Sequence, residues 1–151
     1  MTRKEALRKI MESLGPDDIL ITSTGYNNRD AFYINDRPKN FYMLGSMGYE
    51  LSVGIGIALK TKNNVVVVSG DGSALMILGS LVLANHLKLK NLKHYILDNC
   101  VYGSTGGQST CSTSFNFNQF HNTEHIKIDF GPSPRIPYKA PFIKERLMKS
   151  I

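Results

Sequence analysis

The sequence lacks the features that would place it outside ordinary globular proteins. Two cysteines, Cys100 and Cys111, are too few for a disulfide framework and have no further ligands at zinc-site spacing. No apolar run approaches the roughly 18 residues of a transmembrane helix. Residues 1–10 are charged throughout and do not resemble a secretory signal. A cytoplasmic protein without a membrane partner is therefore expected.

Basic runs are also missing, although the formal net charge is +6. Lysine and arginine are scattered and lie mainly towards the two ends, so no nucleic-acid partner is expected. The charge is compatible with an anionic substrate, but a solvated surface explains most of it. With 42% hydrophobic and 20% charged residues, the 151-residue chain is predicted to form one globular domain with a sizeable core.

One stretch predicts a strand–helix–strand unit with a ligand-binding end. The β-branched run 65–69 predicts a buried parallel strand, and the turn 70–72 is followed by helical spacing that begins at Ser73. A second strand is predicted at 94–97. Ligands of open parallel sheets bind at the carboxyl ends of the strands. The polar residues just past these two strands therefore mark a candidate site.

Asp71 and Asn99 are the oxygen donors at those two strand ends. One crossover helix fits between them, so both side chains could converge on one ion. A carboxylate and an amide suit Mg²⁺, which also shares phosphate oxygens. The glycines beside Asp71 and the start of the following helix would let a diphosphate approach. The alternative is a plain strand–helix–strand unit with a tight turn, because GDG occurs in many loops.

The preceding residues alternate between helical and strand patterns. Residues 2–5 fit a capping box, 18–22 and 41–44 predict strands, and 49–59 predict a helix whose glycines pack closely. Residues 1–112 therefore predict a doubly wound α/β fold, with a parallel sheet covered by helices on both faces.

Four blocks of sequence resemble the diphosphate-binding, C-terminal domain of thiamine-diphosphate-dependent decarboxylases. They are Thr24-Gly25-Tyr26, residues 41–48 (FYMLGSMG), residues 70–73 (GDGS) and residues 97–108. The first and last blocks resemble the branch that acts on phosphonopyruvate or sulfopyruvate, whereas GDG followed by Asn99 is typical of the wider family.

The resemblance implies thiamine diphosphate and Mg²⁺ as cofactors. The metal ligands would be the side chains of Asp71 and Asn99 and the backbone carbonyl of Val101. Met47 would be the apolar wedge beneath the cofactor, although a core role is the alternative. The loop residues Ser104, Thr105 and Gln108 would bind the anionic end of the substrate, unless they form only a loop. The residues implied to contact the cofactor are Thr24, Gly25, Ser46, Met47, Gly70, Gly72, Ser73, Asn99, Tyr102 and Gly103.

The resemblance places the activating glutamate on another domain, and no glutamate of this sequence lies in a matching motif. No catalytic residue is therefore assigned to this chain, and a pyrimidine-domain (α-type) partner subunit is expected. The predicted function is the diphosphate-binding subunit of a split, oligomeric decarboxylase that converts phosphonopyruvate to phosphonoacetaldehyde and CO₂. The alternatives are sulfopyruvate as the substrate, a non-catalytic scaffold or remnant, and a plain phosphate-binding domain.

Residues 113–151 are predicted to be a shortened, atypical part of the single domain 1–151. Room remains for at most one short helix before a strand at 125–129, followed by a proline-rich loop and a final helix that begins at Pro141. Loss of a helix–strand unit would uncover one flank of the sheet. Either another chain covers that flank or the fold is compromised. The alternative is that the tail from Phe115 to Ile151 folds back and seals the flank itself. His121 and His125 are predicted to be surface residues.

Overall fold

Short apolar and β-branched runs form one parallel sheet in the computed structural model, which describes residues 1–151. Its spatial order is β2-β1-β3-β4-β5, and every neighbouring pair is parallel. The central strands are buried along nearly their whole length, as expected where helices cover both faces. The strands are β1 (Ile19–Thr22), β2 (Asn40–Tyr42), β3 (Val65–Gly70), β4 (Leu92–Asp98) and β5 (Thr123–Lys127).

Helices lie on both faces of this sheet, which confirms the predicted doubly wound fold. Side chains alternate along β3, so that Val66 and Val68 join one core cluster and Val65 and Val67 join the other. The first cluster is covered by α1 (Arg3–Glu12) and α2 (Tyr26–Ile34), and the second by α3 (Glu50–Ala58), α4 (Asp71–Met76) and α5 (Leu78–Leu87).

Two local predictions can be compared directly with the helices. A Cβ atom on Gly54 would lie 2.4 Å from Cγ2 of Val67, so the predicted close packing is confirmed there, whereas Gly56 is exposed. The helix after β3 begins at Asp71 rather than Ser73, because Gly70 is extended and serves as the N-cap. None of the helices has the length and apolar character needed to cross a bilayer.

The chain after β5 runs to the far edge of the sheet. The proline-rich segment 129–139 crosses α1 and α2, and the final helix α6 (Ala140–Met148) packs beside β2. There Arg146 donates to Asp36 and to the carbonyl of Asn40. Of the tail 115–151, which is the alternative cover for the β5 flank, the part from residue 129 onward runs to the opposite edge, whereas the first part, with the buried Phe117, packs beside β5. Short 3₁₀ turns, Ser112–Ser114 and Phe117–Gln119, lie beside β5.

A buried ion pair fixes the path of the tail. Nε of Arg3 donates to Oδ2 of Asp30 at 2.7 Å, and the two side chains are only 5% and 1% exposed. Ser133 from the tail joins the pair, since its Oγ accepts from Arg3 at 2.9 Å and donates to Asp30. The carbonyl of Gly131 accepts a further hydrogen bond from Arg3. The tail is thus attached to α1 and α2 through charged groups that are almost fully buried.

Asp30→Ala is expected to lower the free energy of unfolding by about 3–5 kcal/mol, because the Arg3 guanidinium would stay buried without a counter-charge. Asp17→Ala is the matched control, because Asp17 pairs with Lys39 at 2.7 Å while its side chain is 76% exposed. Loss of that surface pair should cost far less, because solvent and salt screen an exposed ion pair. Urea denaturation followed by circular dichroism measures both changes, and equal costs would refute a structural role for the buried pair.

Candidate functional site

The carboxyl ends of β1, β3 and β4 open into one polar cavity of about 70 Å³. The register places Gly70 of β3 beside Leu97 of β4, so the residues that follow these strands emerge at the same level. All but three of the predicted site residues line this cavity. Those that do are Thr24, Met47, Gly70, Asp71, Gly72, Ser73, Asn99, Val101, Tyr102, Gly103, Ser104 and Thr105.

The three remaining predicted residues lie elsewhere. Gly25, with φ of +96°, caps α2 and lines a neighbouring cleft. Ser46 and Gln108 are exposed and do not line the cavity. Their predicted contacts with cofactor and substrate therefore stay predictions. Conversely, the cavity is also lined by residues that the sequence did not single out: Arg3, Ser23, Tyr26, Asn27, Leu97 and Ile128.

Asp71 is the one carboxylate that lines the cavity, and it lacks a cationic partner. Its side chain is 2% exposed and accepts a hydrogen bond from the Thr110 hydroxyl. Burial raises the pKa of this carboxyl despite that bond, and the nearby Asp98 carboxylate raises it further. An ionised carboxylate in such a place needs a compensating positive charge.

The neighbouring donors fit a hard cation. The amide of Asn99 is oriented by the N–H of Val101, which donates to its Oδ1 at 3.1 Å. No group of three or more His, Cys, Asp or Glu side chains is arranged to hold a metal ion. A cation here would therefore depend on Asp71 together with neutral oxygens. That all-oxygen set, with a single charged ligand, matches the preference of Mg²⁺ for few protein ligands.

Glycines allow the walls of the cavity to touch. A Cβ atom on Gly72 would lie 2.4 Å from the Tyr102 ring, so the GDG turn and the loop past Asn99 are in direct contact. That loop closes on itself, because Tyr102 N–H donates to the carbonyl of Gln108 at 2.8 Å. A larger residue at position 72 would have to displace the ring and open the cavity.

Asp98 lies behind Asp71 in a hydrogen-bonded cluster. Its Oδ1 accepts from the Ser112 hydroxyl at 2.9 Å, and its Oδ2 is bound by His125 at 2.7 Å and by Lys127. Burial alone would raise the pKa of Asp98, but these donors outweigh it and hold the pKa well below its usual range. His125 is thus not the predicted surface histidine, because a buried carboxylate holds its ring.

The Met47 loop is attached to the start of α4. Met47 is half-buried against the cavity, and the adjacent Gly48 N–H donates to the Ser73 hydroxyl at 2.8 Å. Three residues after Met47, Glu50 is fully buried, and neither of its oxygens has a hydrogen bond of good geometry. Burial raises the pKa of Glu50, and the Ser69 and Ser73 hydroxyls lower it only in part.

No histidine compensates the Glu50 carboxyl. His94 is the buried imidazole of this layer, and its Nε2 lies 2.8 Å from the Ser69 hydroxyl. Burial lowers the pKa of His94 to about 3, so the ring is neutral at physiological pH. The unfavourable free energy of burying the Glu50 carboxyl is therefore not offset by a positive charge. The sequence does not indicate that Glu50 is buried, because a glutamate in the first turn of a helix is ordinarily solvated.

The comparisons with known proteins agree on one family. Residues 23–133 match the family model of the thiamine pyrophosphate enzyme C-terminal TPP binding domain. The chain is 44% identical over 108 residues to sulfopyruvate decarboxylase subunit beta of Methanocaldococcus jannaschii, and the aligned region covers 72% of this chain and 57% of that protein. It is 47% identical over 113 residues to phosphonopyruvate decarboxylase of Streptomyces hygroscopicus, and the aligned region covers 75% of this chain and 28% of that protein. The chain thus spans less than two thirds of the length of these relatives.

The fold is also similar to a solved structure. This is a candidate thiamin diphosphate-dependent enzyme isolated from Mycobacterium smegmatis, with a TM-score of 0.64 and 15% sequence identity. The match covers 88% of this chain and 32% of that one. At this identity the likeness shows the arrangement of strands and helices only.

Glu50→Gln is expected to stabilise the protein increasingly as the pH rises above 4.5, the ordinary pKa of a glutamate. Below that value the carboxyl is protonated in both the folded and the unfolded chain. Above it the unfolded chain ionises first, so the wild-type free energy of unfolding falls by up to about 1.4 kcal/mol per pH unit until the raised pKa is passed. The neutral amide of the variant does not incur this loss.

Urea titrations between pH 4 and pH 8 measure this difference, with the exposed Glu145→Gln as the control. A constant difference between wild type and Glu50→Gln across the range would refute the buried, uncompensated carboxyl. Glu145→Gln should follow the wild-type curve.

Proposed function

We propose a function from the family of this chain, which belongs to the thiamine pyrophosphate enzymes and carries their C-terminal TPP-binding domain. In this proposal it is the diphosphate-binding subunit of a split 2-oxo acid decarboxylase, and its substrate is phosphonopyruvate. The observation that supports the proposal most strongly is the buried Asp71 carboxylate, which shares a cavity with Asn99 and Val101 and has no cationic partner. Residues 1–151 would act as one domain, including the atypical part 113–151.

Each group of cavity residues has a task in this proposal. Asp71, Asn99 and the carbonyl of Val101 would hold Mg²⁺, and the glycine turn at Gly70 and Gly72 would admit the diphosphate. The remaining proposed cofactor contacts are Thr24, Gly25, Ser46, Met47, Ser73, Tyr102 and Gly103. When bound, thiamine diphosphate supplies the electron sink that decarboxylation of a 2-oxo acid requires.

Sulfopyruvate is the second candidate substrate. The relatives named sulfopyruvate decarboxylase subunit beta match this chain over 57% and 60% of their length, twice the share of the phosphonopyruvate decarboxylases at 28%. Both substrates are 2-oxo acids with a tetrahedral anionic group at the other end. The same machinery would serve either one.

The shape of the cavity supports the need for a partner. A volume of about 70 Å³ is far below the roughly 300–1,000 Å³ of sites that enclose a drug-sized ligand. No glutamate lines it, and Glu50 lies behind its wall. A pyrimidine-domain subunit would therefore supply both the other half of the cofactor site and the activating glutamate.

An apolar surface supports assembly into a homo- or hetero-oligomer. Large apolar side chains are exposed on and around α3, α4 and α5, where Gly56 and Gly79 leave open space. Where such side chains form a contiguous patch they mark an interface, and two-fold pairing is the commonest arrangement. Two free cysteines fit a reducing compartment such as the cytoplasm. The exposed residues are Tyr49, Leu59, Met76, Val82 and Leu83.

Asp71→Asn and Asn99→Ala should each abolish Mg²⁺-dependent binding of thiamine diphosphate while unfolding stays cooperative. Asp71→Asn removes a charge whose burial is already unfavourable, so its stability should equal or exceed that of the wild type. Asp17→Asn, before the start of β1 at the opposite end of the strands, is the matched control. Isothermal calorimetry in the presence of MgCl₂ measures the affinities, and unchanged binding in both site variants would reject the assignment.

A further inference from the structure

Beside the cofactor cavity lies a second cleft, with a volume of about 370 Å³, which shares Thr24 with it. Two arginines line this cleft and no carboxylate does. Arg135 lies two residues beyond the residues 23–133 that match the family model, so it is outside the family match. The complete lining is Thr24, Gly25, Asn28, Arg29, Leu44, Arg135, Ile136 and Tyr138.

The positive charges of this cleft are not neutralised within the chain. Arg3 and Arg146 each pair with a buried or half-buried aspartate at 2.7–2.8 Å. Arg29 and Arg135, in contrast, lie within ion-pair distance of no acidic group. Two guanidinium groups on one cleft give it a positive potential that favours the binding of an anion.

Contacts with neighbouring residues position the side chain of Arg29 and the backbone of Arg135. One Nη atom of Arg29 donates to the carbonyl of Ser133 at 3.0 Å, and its guanidinium lies 5.0 Å from the centre of the Tyr26 ring. The backbone of Arg135 is anchored because its carbonyl accepts from the Tyr33 hydroxyl at 2.9 Å. The remaining donors of Arg29 have no partner in the protein, so they are free to bind a ligand.

We propose that Arg29 and Arg135 bind the tetrahedral oxyanion at the non-reacting end of the substrate, a phosphonate or a sulfonate. The Thr24 hydroxyl would be a neutral donor to the same group. Planar guanidinium groups suit such oxyanions because they donate two parallel hydrogen bonds. The inference rests on the proposed function. It replaces the predicted role of Ser104, Thr105 and Gln108, which are uncharged and do not line this cleft.

Location favours the substrate over the cofactor as the source of the anion. The residues proposed to hold the metal, together with Gly70 and Gly72, line the first cavity and not the cleft, and of the proposed cofactor contacts only Thr24 and Gly25 line the cleft. Thr24 is the residue common to both. A substrate with its oxyanion in the cleft would therefore direct its 2-oxo acid end towards the cofactor cavity.

The test is a titration of the full ¹⁵N-labelled chain with methylphosphonate, and separately with methanesulfonate, followed by NMR. Saturable shifts are expected at the amides of Gly25, Arg29 and Arg135. Arg135→Gln should weaken binding about ten-fold or more, as expected for loss of a charged hydrogen bond. Arg29→Lys, which keeps the charge but loses the planar fork, should also weaken it. Arg8→Gln, an exposed arginine of α1, is the control and should bind as the wild type does.

Inorganic pyrophosphate with MgCl₂ is the second probe, because it represents the cofactor. Equal weakening of both probes in Arg135→Gln would overturn the proposal and assign the cleft to the diphosphate. Unchanged methylphosphonate and methanesulfonate binding in both cleft variants would overturn it as well. Should the wild type bind methylphosphonate through Arg135 yet fail to bind inorganic pyrophosphate with MgCl₂, the oxyanion site would stand and the proposed diphosphate-binding function would fall.

Discussion

The placement of the Asp71 carboxylate without a counter-charge is the constraint on which the site depends. Three buried aspartates lie in this chain, and two of them are compensated. Asp30 pairs with Arg3, and Asp98 is bound by Lys127 and His125. Asp71 receives only the Thr110 hydroxyl and faces a polar cavity. Because an unpaired buried charge is costly, the structure is most easily understood if a cation from outside the chain completes it.

The tail connects this site to the rest of the fold. Segment 129–139 is tied to α1 by Arg3 and to α2 by Arg29, and these contacts place Arg135 in the cleft beside Thr24. Arg3 itself lines the cofactor cavity. Thus a segment that extends beyond the family match at residue 133 packs against helices α1 and α2 beside the candidate site. Stability of the tail and composition of the cleft are therefore coupled through the same ion pair.

Much of the fold and the location of the site could be predicted from sequence. The β-branched run in β3 and the glycines after it predict the central strand. Because β3 and β4 are parallel neighbours, Asp71 and Asn99 then lie together at the carboxyl ends of the strands. Periodicity predicts which face of an element is buried, but it does not identify a partner more than 100 residues away. Periodicity therefore does not predict the contacts of Arg3 with Ser133 or the packing of α6 beside β2. His125 was mistaken for a surface residue for the same reason, since its partner Asp98 belongs to another strand.

We propose that this chain supplies one half of a cofactor site whose other half lies on a second subunit. The most direct test of this proposal is to measure CO₂ release from phosphonopyruvate and from sulfopyruvate, with thiamine diphosphate and MgCl₂, for the purified chain alone and after mixing with a pyrimidine-domain subunit. We expect no turnover by the chain alone, because no glutamate lines the cavity, and turnover by the mixture, because the partner subunit would supply that glutamate. Steady turnover by the chain alone would contradict the proposal, since a residue of this chain would then replace the activating acid.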